Sequence, residues 1–123
     1  LIRTNMINDS YKIIKKMDNL LSDLTDRQKE WYQPYLSYEI ALLHFHKKEY
    51  SESLKNVKNT IENYSGELDV ILGKAYLLEG MEYDKLSKRE KAKQSYRKCI
   101  ELKNFSIAMK KAEKYLEWSY SEI

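Results

Sequence analysis

The residues best suited to chemistry in this 123-residue chain are one cysteine, Cys99, and two histidines, His44 and His46. A nucleophilic cysteine needs a base at hand and a setting that lowers its pKa. Cys99 falls at a small core position of a helical pattern, and His44 belongs to a different helical hairpin, so core packing is expected of the thiol. The histidines stand two apart in "HFH". On a helix that spacing turns side chains about 200° apart, so the pair cannot grip one ion. Glu39 and Glu49 lie near in sequence but do not complete a tetrahedral set. One inward and one surface histidine are expected, and no metal. Paired carboxylates for hydrolysis, a glycine-rich phosphate loop and a Ser-His-Asp pattern are absent at usable spacing. The chain reads as a non-enzyme without a cofactor.

Two other groupings could act through binding. The run Lys85, Lys88, Arg89, Lys91, Lys93, Arg97 and Lys98 is opposed within itself only by Glu90. Phosphate attraction with tyrosines stacking on bases is one use for it. Glu79, Glu82 and Asp84 precede the run and dilute its field, and the net charge is only +3. A solvated helix face is the expectation, with RNA binding through the fifth helix as an alternative. The chain also holds 11 tyrosines and two tryptophans. Most should be half-buried, with rings packed and hydroxyls wet. Trp31, Tyr32 and Tyr35 together would mark an interface, or a site of homo-oligomer contact, if exposed; a first helix lying over them would make them core.

These residues must be carried on helices. Glycine is 3 and proline 1, too few for the turns of an all-β domain. Apolar spacing predicts about six helices. The first spans 7–24, with Ile14, Met17, Leu21 and Leu24 on one side. The second opens at Thr25, an N-cap with Gln28 completing a capping box, and runs to Lys47 through Pro34, which should kink or split it. The third spans 50–63, with Gly66 suited to a stop. The fourth spans 67–86. The fifth opens on a second capping box, Ser87 with Glu90, and the sixth follows Asn104 as cap and covers 105–118. Connections of two to four residues force neighbouring helices antiparallel. One domain over 1–123 is expected, with hairpins at 26–64 and 67–103 and flanking helices at 7–24 and 105–118. No apolar run reaches the ~20 residues of a membrane span. The first ten residues lack a signal-peptide layout. A single cysteine demands no oxidising compartment, so the cytoplasm is favoured, and the start at Leu1 suggests a segment of a longer chain.

Setting the second and third helices on the fourth and fifth pairs Ser53 with Ala92, an offset of 39 (92 − 53). Ala41 then falls on Gly80, His44 on Tyr83, Val57 on Tyr96, Thr60 on Cys99 and Ile61 on Ile100. A mid-helix glycine costs about 1 kcal/mol relative to alanine, so Gly80 should mark a close approach. The expected neighbour is Ala92, small against small, with the rings of Tyr83 and Tyr96 filling the wedges on either side.

Tyr76, Gly80, Tyr83, Ala92, Tyr96 and Cys99 resemble the tetratricopeptide repeat: large, small, aromatic, then small, aromatic, small, at that family's spacing. Glu79 stands where the family usually has leucine and Asn104 where it has proline. The resemblance extends loosely to Pro34–Glu67, and the longer period, 39 against ~34, is read as longer first helices. It implies an all-α, right-handed αα-hairpin superhelix serving as a protein-protein interaction scaffold. Its concave groove would be lined by Tyr35, Tyr38, Leu42 and Phe45 from one hairpin and Lys74, Leu77, Met81, Asp84 and Lys85 from the next. Apolar Tyr38, Leu42, Leu77 and Met81 replace the Lys, Asn and Arg of the family's carboxylate clamp, so an apolar or aromatic peptide or protein partner is expected. An architectural role, as the terminal segment of a larger repeat protein, is the second alternative.

Overall fold

The computed structural model describes residues 2–64, 70–104 and 106–121. Among the described residues six helices follow one another: α1 Ile2–Leu21, α2 Asp26–His46, α3 Tyr50–Asn63, α4 Val70–Lys85, α5 Arg89–Glu101 and α6 Ile107–Glu117. Among the described residues there is no strand. The expected stop at Gly66 and the first turn of the fourth helix, 67–69, lie outside the described residues. The chain divides into two compact units, Leu1–Gly66 and Glu67–Ile123. In the first, α2 packs on both α1 and α3; in the second, α4, α5 and α6 each touch the other two.

Both hairpins turn by the same device. Lys48 and Ser87 have φ of 61° and 60°. In the first turn Lys48 N–H donates to Phe45 O (3.0 Å) and Glu49 N–H to His44 O (2.8 Å). In the second, Ser87 N–H donates to Asp84 O (3.1 Å) and Lys88 N–H to Tyr83 O (2.8 Å). Each is a Schellman ending with its left-handed residue just past the helix. Every partner in the second turn lies 39 residues beyond its counterpart in the first (48 to 87, 44 to 83).

The buried cross-hairpin contacts repeat at the same interval. Thr60 Oγ1 donates to Pro34 O at 3.0 Å, and Cys99 Sγ donates to Gly73 O at 3.3 Å (60 to 99, 34 to 73). Next to the turns, the Phe45–Tyr50 ring contact (5.5 Å) of one hairpin becomes the Asp84–Arg89 ion pair (3.0 Å) of the other. The periodicity therefore extends from residue types to individual bonds, even where the chemistry of a pair has changed.

Two local expectations are corrected. Ser87, left-handed as the ending of α4, cannot also be the extended N-cap that a capping box needs. The cap of α5 is Lys88, without a side-chain bond. Ser106, not Asn104, caps α6, accepting from Met109 N–H at 3.2 Å, while Asn104 Oδ1 accepts from Ser106 N–H. Of the two outcomes expected of Pro34, a kink or a split, the split does not occur: α2 runs unbroken from Asp26 to His46. The ring leaves the Glu30 carbonyl without its helical donor, on an exposed residue. Thr25 and Gln28 do form the expected capping box.

Gly80 does mark a close approach, but its neighbour differs from the expected one. A Cβ added there would lie within 2.8 Å of Cδ1, Cε1 and Cζ of Tyr96. Lys91 sits over Tyr83, Ser95 bonds Glu79, and Lys98 sits over Tyr76. That antiparallel pairing sets residue 80 opposite residue 94, with Ala92 and Tyr96 two positions to either side, and the ring of Tyr96 is what reaches the glycine. The absent side chain accommodates an aromatic face, with Ala92 and Tyr96 both fully buried.

Candidate protein-interaction surface

The start of α2 carries three aromatic rings in mutual contact. Trp31 lies 4.9 Å from Tyr32 and 5.2 Å from Tyr35, and Tyr32 lies 6.4 Å from Tyr35. Trp31 is 49% and Tyr32 40% exposed; Tyr35 is half-buried. α1 packs on α2 but leaves Trp31 and Tyr32 exposed. Helical spacing continues the stripe through Tyr38 and Leu42, both half-buried, to Phe45, which is buried against Tyr50 and offers no surface.

On α4, Lys74 is exposed, and Met81 and Lys85 are half-exposed. Leu77 is buried. The Asp84 carboxylate is 3% exposed and holds its own unit together. It accepts from Tyr96 Oη at 2.7 Å, from Arg89 Nη1 at 3.0 Å and from Tyr120 N–H at 2.9 Å. Arg89 Nη2 also donates to Leu116 O. Asp84 thus ties α4, α5 and the end of α6 together. Its bond and burial push the Tyr96 phenol above its ordinary pKa, burial being the larger cause. No pattern of spacing announces this hub; the signal was an acidic residue and an arginine on either side of a tight turn.

The remaining candidates are absorbed by packing. Cys99 is buried, and burial pushes its thiol up to about 11, away from a nucleophile's range. His44 Nδ1 lies 3.1 Å from Glu49 Oε1 across the turn. Burial, and then the charge of Arg3, lowers the pKa of His46. Among the described residues no three metal-binding side chains converge. Among the described residues no helix is long and apolar enough to cross a membrane.

The basic run is more engaged than its spelling suggests. Arg89 is paired, Lys93 lies 3.6 Å from Glu90, and Lys91 and Lys98 sit 5.8 and 5.9 Å over the rings of Tyr83 and Tyr76. The three carboxylates expected to dilute its field, Glu79, Glu82 and Asp84, are turned inward. Glu79, in the place of the usual leucine, is buried and accepts from Ser95 Oγ at 2.7 Å.

Residues 73–105, most of α4 and all of α5, match the family model of the tetratricopeptide repeat. No curated protein and no solved structure gives a significant match to the chain. Within the matched stretch Gly80, Tyr83, Ala92, Tyr96 and Cys99 are all buried, as a repeat core requires. Residues 73–105 therefore carry a tetratricopeptide repeat.

Proposed function

We propose that the exposed aromatic cluster of Trp31, Tyr32 and Tyr35 takes an apolar or aromatic segment of a protein partner. Tetratricopeptide repeats are in general protein-protein interaction scaffolds. The carrying observation is three rings in contact with one another, two of them exposed by 40% or more. Large rigid rings supply contact area at small entropic cost, and tryptophan and tyrosine dominate binding energy where they are buried by a partner. Tyr38 and Leu42 extend the surface along α2. In the second unit, Lys74, Met81 and Lys85 occupy the same repeat positions as Tyr35, Leu42 and His46, and they present a more basic face.

The test starts by capturing partners with the 123-residue chain and identifying them by mass spectrometry. The leading partner is then titrated against Trp31→Ala and Tyr32→Ala. Each variant should keep its helical signal and melting temperature and lose about ten-fold or more in affinity. Wild-type affinity in both variants refutes the assignment.

A further inference from the structure

The exposed aliphatic residues of α1 fall on one line, with exposed Tyr11 on the other side of the helix. Ile2, Met6, Ile13 and Leu20 are 74%, 44%, 43% and 62% exposed. Steps of four and seven residues return to the same side of a helix, so the four form a seam along nearly all of α1. The neighbouring side, with Ile7, Ser10, Ile14, Met17 and Leu21, is buried or half-buried where α1 meets α2. The seam is therefore a second apolar face, separate from the aromatic cluster.

Its charges specify the occupant. Asp9 and Lys16 are both exposed and lie on the same flank of the seam, two turns apart. Residues 6 and 20 are equidistant from 13, and 9 and 16 are within half a residue of being so. Two copies of α1 laid antiparallel about a two-fold axis near Ile13 match from Met6 to Leu20, while Ile2 lies past the end of the partner helix. Met6 meets the partner's Leu20, Ile13 meets the partner's Ile13, and Asp9 meets the partner's Lys16, each contact occurring twice as a two-fold interface demands. A parallel pairing would put these two residues of one copy and those of the other on opposite sides of the seam and make neither contact. We propose that α1 is a homodimerisation surface and that its occupant is the α1 of a second copy of this chain. Three side chains on each side bury less than the ~1,200 Å² of a stable interface, so the dimer is weak and reversible, in the ~10–500 micromolar range.

Sedimentation equilibrium of the 123-residue chain from about 5 to 500 micromolar tests this. Mass should rise from monomer to dimer across the range, and Ile13→Asp should hold the chain monomeric. Asp9→Lys should weaken dimerisation by about ten-fold, by turning two attractions into two repulsions. Asp9→Lys combined with Lys16→Asp should restore it. All three substituted positions are exposed, so circular dichroism should stay unchanged, and the charge swap decides the matter even if Ile13→Asp costs helicity. A monomer at every concentration, or a dimer that the double swap fails to restore, overturns the proposal and gives the seam to a different helical partner.

Discussion

Gly80→Ala should destabilise the chain although alanine is the better helix former. Propensity alone would favour the substitution by about 1 kcal/mol. The added Cβ, however, would sit within 2.8 Å of three ring carbons of Tyr96. That ring is fully buried. It is held at one edge by its hydroxyl on Asp84 (2.7 Å) and flanked by Tyr115 at 5.9 Å. Overpacking costs about 1–3 kcal/mol. A ring pushed aside also strains a hydrogen bond to a charged group, worth about 1.5–3 kcal/mol. Against the helical gain, the net loss comes to about 2–4 kcal/mol, roughly 10 °C in melting temperature for a chain of this size. Gly73→Ala is the matched control. Its Cβ would meet only ordinary contacts, Asn104 Nδ2 at 3.5 Å and Leu102 Cδ1 at 3.6 Å, so it should stabilise by up to ~1 kcal/mol. Urea denaturation of both variants, and of Gly80→Ala in a Tyr96→Leu background, separates the terms. Smaller Tyr96→Leu should recover much of the loss. Stabilisation by Gly80→Ala, or an undiminished loss beside Tyr96→Leu, would refute the reasoning.

Asp84→Asn should cost about 3 kcal/mol in chemical denaturation, because it strands Arg89 beside a site that can no longer pair it; a change within experimental error would mean the hub is dispensable. Cys99→Thr should shift stability by less than ~1 kcal/mol, since Thr60 makes the equivalent bond to a carbonyl in the first hairpin. With the Cys99 thiol raised to about 11, its protonated form is the one favoured by folding. That contribution is complete below the ordinary thiol pKa and is lost as pH rises through about 11. A thiol reagent at pH 8 should therefore modify Cys99 slowly until urea is added, and immediate labelling of folded protein would contradict its burial. Leu77→Asp should unfold the second unit by placing a charge in its core, whereas half-exposed Met81→Asp should melt near wild type.

Periodic features were legible in the residues. The capping box at Thr25, the helices, the hairpins and the interval of 39 all rest on spacing, and spacing is set by local backbone geometry. The glycine signal was legible too, since an unfavourable residue inside a good helix demands a reason. Its partner was not. Deciding between Ala92 and Tyr96 needs the register of α4 on α5, which follows from how the turn at Ser87 is made, and the reach of the Tyr96 ring across it. A serine followed three places on by glutamate spells a capping box equally well. The left-handed backbone of the Schellman ending leaves no trace in residue type here, because Lys48 and Ser87, not glycine, adopt it.

The candidate surface divides along the same line. Helical spacing placed Tyr35, Tyr38, Leu42, Leu77, Met81 and Asp84 on comparable faces, because periodicity assigns a side chain to a side of its helix. It cannot say which sides meet another helix. Packing buried Leu77, turned Asp84 into an internal anchor and left Trp31 and Tyr32 in solvent. By itself the sequence determined an all-helical repeat of the tetratricopeptide kind, because hydrogen bonds and apolar spacing along a helix are local properties. Tertiary structure alone decided which aromatics are core and which are surface, because burial depends on neighbours brought together from distant parts of the chain.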